Sequence, residues 1–247
     1  MTRLDQALVD RGLCDSREKA RRAILAGQVR INSRTARKAS DSVKAEDGIS
    51  VDAPEKFVSR GGHKLEHALL RFKLDVDGLV ALDLGASTGG FTDCLLQHGA
   101  AKVFAVDVGQ GQLAWKLRRE KRVVVMEKIN ARHLKLEQMP EPFSPADLAV
   151  IDCSFISLKK ILPTAVALLK TDGKIVALVK PQFEAGKAEA DKGCGVISDP
   201  AIHERVLKEL KAFVAAQNNL SWRDVTESPL LGPAGNKEFL ALIEKTS

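Results

Sequence analysis

Between Val80 and Ile243 the chain alternates short apolar runs with longer stretches whose apolar positions recur every three or four residues. The short runs predict strands at Val80–Leu84, Lys102–Val108, Arg122–Met126, Leu148–Cys153, Lys174–Val179, Trp222–Thr226 and Glu238–Ile243. Helices are expected between them at Gly90–His98, Gln112–Glu120, Leu158–Leu169 and Pro200–Ala216. In the last of these Asp199 can cap, Pro200 suits the first turn, and Ile202, Val206, Leu210 and Phe213 form one apolar stripe. Pro163 falls inside the third and makes its start irregular. A further helix is expected around Leu65, Ala68, Leu69 and Phe72. Strands and helices in alternation predict an α/β architecture, a doubly wound parallel sheet covered on both faces.

The N-terminal part reads differently. Leu4, Leu8 and Leu13 flank a short helix that Arg11-Gly12 ends. Asp15-Ser16 offers an N-cap for Arg17–Ala26, where Ala20, Ala23 and Ile24 recur at helical spacing and Gly27 stops the run. Val29–Asn32 and Ile49–Val51 read as strands, completing a compact α+β module.

Charge separates the two parts. The 247 residues carry 38 Lys+Arg against 32 Asp+Glu, a net +6. Residues 1–40 hold ten basic and four acidic residues, so this segment carries the whole excess and the rest balances at 28 of each sign. Eight of those ten are arginine, the side chain whose fork fits phosphate, and Arg17, Arg21 and Arg22 make one stripe on the second helix. A polyanion partner, nucleic acid, is therefore expected for this module. Cys14, Cys94, Cys153 and Cys194 are too far apart for a C-x-x-C ligand pair, so neither a metal site nor a disulfide framework is expected. No apolar run is long enough to span a bilayer, and Asp5 stands where a secretory leader would begin its apolar stretch. A cytoplasmic location without membrane association is the expectation.

In open α/β sheets ligands gather at the carboxyl ends of the strands. The polar residues there are Asp83, Asp107, Asp152 and Lys180. The first strand runs into Asp83-Leu84-Gly85-Ala86-Ser87-Thr88-Gly89-Gly90, which is neither G-x-G-x-x-G nor a P-loop. An acid, a glycine-rich turn and a second acid at the next strand end suit a nucleoside: Asp107 can accept from both ribose hydroxyls.

Runs of residues in register carry two resemblances. Arg3-Leu4-Asp5, Leu8-Val9, Gly12-Leu13, Ser16-Arg17, Ala20, Ile24, Gly27 and Val29-Arg30-Ile31-Asn32 resemble the S-four-type RNA-binding domain, with Ser33 where that family usually turns on glycine. The full order adds Ser59-Arg60-Gly61-Gly62-His63-Lys64, Leu82 through Asp93, Ala105-Val106-Asp107-Val108-Gly109, Gly111-Gln112-Leu113-Ala114-Trp115, Asp152 through Leu158, and Val179-Lys180-Pro181-Gln182-Phe183-Glu184. It resembles the TlyA family, also labelled haemolysin, in which an S-four-type domain precedes an FtsJ-like methyltransferase domain. The resemblance implies a Rossmann-like class I methyltransferase sheet behind the small RNA-binding domain. It implies domains at 1–56 and 64–247 with a linker at 57–63. The implied activity is S-adenosylmethionine-dependent 2′-O-methylation of cytidine in ribosomal RNA of one or both subunits. The partner is then ribosomal RNA or a ribosomal subunit, with no stable protein partner.

Carried onto this chain, the family's catalytic tetrad falls on Lys64, Asp152, Lys180 and Glu238. Cofactor positions fall on Asp83, Gly85, Ser87, Thr88, Gly89, Gly90, Phe91, Asp107 and Val108, with Asn130 and Ala131 toward the adenine. RNA contacts are expected from Arg3, Arg17, Arg21, Arg22, Arg30, Arg34 and Arg60. Methyl transfer from a sulfonium to a ribose hydroxyl is an in-line displacement that needs a polarised oxygen. Lys180 is assigned that role, either as neutral base or as a charged group that orients the oxygen. Gln182–Ser198, with little periodicity, is expected to close over RNA, and Arg60-Gly61-Gly62 to act as a flexible joint. Two other functions compete: a membrane-lytic protein, and an RNA-binding cofactor sensor without catalysis. The basic helix has too narrow an apolar face for insertion, and the complete tetrad argues against a sensor. A pseudouridine synthase would have no use for the glycine-rich turn.

Overall fold

The computed structural model describes residues 1–52 and 55–246. It divides into two compact units, Met1–Lys56 and Phe57–Ser247.

The first unit comprises β1 (Thr2–Arg3), α1 (Leu4–Asp10), α2 (Arg17–Leu25), β2 (Val29–Ile31), β3 (Arg34–Thr35), β4 (Ser42–Val43) and β5 (Ile49–Val51). The strands form an antiparallel pair β1-β4 and a three-stranded sheet β3-β2-β5. Ser16 caps α2 by accepting from the Lys19 N–H at 3.3 Å. Leu4, Leu8, Ala20, Ile24, Val29 and Val43 make the core. Asn32 and Ser33 both take left-handed conformations, φ 47° and 71°, between β2 and β3. That is the conformation of a tight hairpin turn, for which glycine is favoured over serine.

The second unit is built on a seven-stranded sheet in the order β11-β12-β10-β9-β6-β7-β8. Its strands are β6 (Val80–Leu84), β7 (Lys102–Val106), β8 (Val123–Met126), β9 (Ala146–Ile151), β10 (Leu169–Val179), β11 (Leu220–Glu227) and β12 (Phe239–Lys245). Its helices are α3 (Gly61–Phe72), α4 (Gly90–Gln97), α5 (Trp115–Arg118), α6 (Leu162–Leu168), α7 (Pro181–Glu184), α8 (Lys187–Lys192) and α9 (Pro200–Ala215). β6 to β10 run parallel, whereas β12 is antiparallel to both β10 and β11. The expected all-parallel sheet is thus corrected at one edge. Alternation along each buried strand feeds two cores: Leu82 and Leu84 pack on one face with Phe104, Ile151 and Val206, while Ala81 packs on the other with Val103, Leu148 and Leu95.

Other expectations are corrected locally. The helix expected at Leu158–Leu169 is a 3-10 turn at Leu158–Lys160 followed by α6, because Pro163 lacks an N–H and is accommodated in a helix's first turn. The helix expected at Gln112–Glu120 shrinks to the four residues of α5; the chain before it is tied to the glycine-rich turn by the Ala114 N–H on the Thr88 carbonyl at 3.1 Å. Gln182–Ser198 is no open loop, since most of α7 and all of α8 lie within it. The expected linker 57–63 is folded: Phe57 is buried in the second core, and Gly61 and Gly62 open α3.

Candidate active site

The site forms where β6, β7, β9 and β10 end. Beyond β6, Gly85 has φ +91°, and a Cβ there would stand 2.7 Å from the Asp152 carbonyl oxygen. Only glycine therefore allows the turn to lie against the end of β9. Ser87 is left-handed at φ 48°, and its N–H donates to Asp107 Oδ2 at 2.8 Å; the Gly109 N–H donates to Asp107 Oδ1 at 2.7 Å. These bonds hold Asp107, at the end of β7, against the turn.

Gly85, Ser87, Asp107, Val108, Asn130 and Ala131 line one cavity of about 530 Å³, with Ile129, Ile156 and Ile161 as apolar wall. The structure thus brings these cofactor candidates together. Thr88, Gly90 and Phe91 border a neighbouring cavity of about 280 Å³ instead. Gly89 borders neither cavity; it is the left-handed N-cap of α4, against Leu117.

Asp83 is a correction. Two residues on from Ala81, it shares that residue's face of β6 and lies beneath α4, fully buried and away from both cavities. Thr92 Oγ1 donates to its Oδ2 at 2.6 Å, and Oδ1 has no partner among the described residues. Burial pushes the Asp83 pKa up to about 7.

The smaller cavity gathers the four catalytic candidates. Lys64, Asp152, Lys180 and Glu238 all line it, together with Gly85, Ser87 and Ser154. Lys180, just after β10, places Nζ 2.5 Å from Asp152 Oδ1 and donates to Ser154 Oγ at 2.9 Å. Lys64, in the first turn of α3, is ion-paired to Glu238, which is 1% exposed. Glu238 precedes β12 and is placed by a folded turn: the Gly232 N–H bonds the Asn236 carbonyl at 2.9 Å, and buried Asn236 accepts from the Ile197 N–H at 2.8 Å. Gly85, Ser87, Asp152 and Ser154 line both cavities, so the two share a wall.

Arg60-Gly61-Gly62 packs closely where a flexible joint was expected. A Cβ on Gly62 would fall 2.2 Å from the Phe57 ring, and one on Gly90 would fall 2.9 Å from the Gly62 nitrogen. The glycines let the N-terminal ends of α3 and α4 approach, which sets Lys64 beside the turn. Arg60 borders the smaller cavity.

In the first unit Asp5, fully buried, gathers three of the expected RNA-binding arginines: Arg3 at 3.1 Å, Arg17 at 2.9 Å and Arg21 at 3.2 Å. Arg3 first, then Arg17 and Arg21, hold its carboxyl far below the usual carboxylate range. Arg22 is paired with Glu18 and Arg30 with Asp52, while Arg34 is exposed beside Arg37 and Lys38 in a shallow groove.

Three contributors were missed from the sequence. Ser154 bonds Lys180, Gln112 lies 3.3 Å from the Ser87 hydroxyl, and Phe155 holds a ring 90% exposed at the larger cavity with φ 62°. Ser154 and Phe155 come two and three residues after an acid at a strand end, which is the signal that could have found them. Burial, and next the charge of Asp152, push the Cys153 thiol up to about 12.

Residues 57–245 match the FtsJ-like methyltransferase family and residues 2–49 the S4 domain. The chain is 46% identical to the 16S/23S rRNA (cytidine-2′-O)-methyltransferase TlyA of Mycobacterium tuberculosis, over 96% of this chain and 87% of that one. It belongs to the TlyA family. It is a methyltransferase, and its cofactor is S-adenosylmethionine. A second family member, named Hemolysin A, from Brachyspira hyodysenteriae, is 41% identical over 97% of this chain and 98% of that protein. A solved structure from Streptococcus thermophilus, described as a candidate hemolysin, superposes with a TM-score of 0.75 at 42% identity, covering 100% of this chain and 89% of that one. Among the described residues no helix is long and apolar enough to cross a membrane, and Ala20 and Ile24, the apolar side of α2, are spent in the core of its own unit.

Proposed function

We propose that the protein methylates the 2′-hydroxyl of a cytidine in ribosomal RNA, acting in the cytoplasm. The observation that carries the reading is the convergence of Lys64, Asp152, Lys180 and Glu238 on one cavity that shares the Gly85–Ser87 turn with a nucleoside-sized neighbour. The larger cavity fits the cofactor: its volume is in the small-molecule range. Asp107 is held against the turn with carboxylate lone pairs to spare for ribose hydroxyls. Val108, Ile129 and Ile156 offer an apolar wall for the adenine. Bound S-adenosylmethionine supplies a methyl on a sulfonium, an electrophile that needs an oriented oxygen more than it needs acid catalysis.

Lys180 provides that orientation. Anchored by Asp152 and Ser154, its Nζ faces the cavity shared by the tetrad and directs the ribose oxygen. The hydroxyl proton leaves for the Asp152 carboxylate as the O–C bond forms and the C–S bond breaks onto sulfur, and the fixed cation of Lys180 stabilises the negative charge that proton loss builds on the oxygen. The Lys64–Glu238 pair lines the same cavity and fixes a second buried charge pair beside it. Phe155 presents its exposed ring at the rim, where an unstacked base would lie. The arginines assembled on Asp5, with Arg34, offer the first unit's basic face to the RNA backbone. Tritiated S-adenosylmethionine incubated with unmodified ribosomal subunits tests the reading: label at a cytidine that blocks alkaline cleavage is expected, and label on a base would overturn it.

A further inference from the structure

Two motifs run past the residues used above. Asp152 opens Cys153-Ser154-Phe155-Ile156-Ser157-Leu158, and Lys180 opens Pro181-Gln182-Phe183-Glu184. The segments leave neighbouring parallel strands, β9 and β10, side by side. They meet three times. At the strand ends Lys180 holds Asp152 and Ser154. Three residues further on, the Phe155 and Phe183 rings lie 5.1 Å apart, tilted by 47°. Beyond them Glu184, the last residue of α7, accepts from the Ser157 hydroxyl and from the Leu158 N–H, both at 2.6 Å.

The middle contact needs the outer one. Phe155 has a positive φ, which is costly for a bulky residue, and an exposed ring that little packing restrains. Four residues separate Asp152 from Ser157, so pinning Ser157 and Leu158 dictates the path of the chain through Phe155. The carboxylate is kept there at a cost, because burial raises its pKa above the ordinary value. An acid retained in that setting, with both neighbouring donors on it, serves a geometric task.

We propose that Glu184 is a positioning residue for methyl transfer, clasping the segment after β9 to the turn after β10 and so holding Phe155 and the Asp152–Lys180 pair in register. The proposal rests on the cavity being the methyl-transfer site. Glu184 itself lines neither cavity and acts through Ser157 and Leu158.

The full-length wild type is compared with Glu184→Ala, Glu184→Gln and Ser157→Ala. Hydrogen exchange of the 153–158 segment, cofactor affinity by calorimetry, and kcat and KM on ribosomal RNA are measured. In Glu184→Ala, exchange of that segment rises about tenfold. Its kcat falls about tenfold while cofactor affinity stays within about twofold. Glu184→Gln restores most of both, since its amide oxygen can accept from Leu158 while its nitrogen donates to Ser157. Ser157→Ala shows a smaller loss of the same kind and decides the matter if Glu184→Ala fails to fold. Unchanged exchange and kcat in Glu184→Ala, or a Gln variant as impaired as the Ala variant, overturns the clasp. A wild type that labels no RNA overturns the methyl-transfer reading instead, and the exchange data still decide whether the clasp exists.

Discussion

Lys180 and Asp152 stand 2.5 Å apart because they leave adjacent parallel strands, whose last paired residues, Ile151 and Ala177, fix the register of the two strand ends. Neither side chain reaches across a long loop, so the pair is set by the sheet. Replacing Lys180 by Ala therefore leaves the fold and cofactor affinity intact. It lowers kcat by about a thousandfold, the scale of removing one preorganised charge from a transition state. Lys180→Arg does not rescue, because a planar guanidinium cannot occupy the place of a point ammonium between Asp152 and Ser154. Single-turnover methyl transfer with parallel calorimetry checks both statements.

Lys64 and Glu238 behave differently, because the Glu238 side chain is 1% exposed where that of Asp152 is 25% exposed. Removing one partner of a buried pair strands the other charge. Glu238→Ala is expected to destabilise by about 3–5 kcal/mol, and Lys64→Met combined with Glu238→Leu to recover much of that loss. Denaturant unfolding of the two variants tests this, and equal stability loss in both would contradict it.

Asp83 gives a pH signature. Its carboxyl keeps its proton to about pH 7 in the folded chain, whereas the unfolded chain loses it near the ordinary aspartate value of 3.8. Between those values the folded state binds more protons, so this group's contribution makes stability fall as pH rises from about 4 to 7. Asp83→Asn, which mimics the protonated form, lacks that slope. Melting curves across the window are expected to coincide near pH 4 and to favour the variant above pH 7.

Gly85→Ala tests the close approach of the turn to β9. The added methyl would meet the Asp152 carbonyl and a residue other than glycine would have to hold φ +91°. Cofactor affinity is expected to drop at least about tenfold, from a strain of about 1–3 kcal/mol, as measured by calorimetry.

Much of the site was legible because parallel strands buried on both faces read as apolar runs that stop abruptly. The stops at Asp107, Asp152 and Lys180 mark the cavity walls. Asp83 interrupts a similar run yet points into the core, since it shares the face of Ala81, two residues before it, and meets Thr92 on α4 there. Lys64 and Glu238 have no local signal: they lie 174 positions apart and meet only through the packing of α3 and the turn before β12. For these the family resemblance carried what periodicity could not. The glycines of Arg60-Gly61-Gly62 looked like freedom in sequence and serve contact in space, because a missing side chain permits both. The antiparallel β12 was illegible for a related reason: strand direction depends on how the Ser228–Glu238 turn folds back, which apolar patterning does not encode.

Asp5 makes a prediction for the first unit. Asp5→Asn adds net positive charge, yet it releases Arg3, Arg17 and Arg21 from a common anchor. If arrangement outweighs charge, affinity for a structured ribosomal RNA fragment falls about tenfold at fixed salt. A gain in affinity would show that charge alone governs binding.

The most direct test of ribose methylation at this cavity is methyl transfer from tritiated S-adenosylmethionine to unmodified ribosomal subunits by the wild type and by Lys180→Ala. The expected result is label on a cytidine ribose, resistant to alkaline cleavage, that disappears in the variant while cofactor binding persists. Label that persists in Lys180→Ala, or no label with cofactor bound to the wild type, would contradict the assignment of the Lys180–Asp152 cavity as the site of ribose methylation.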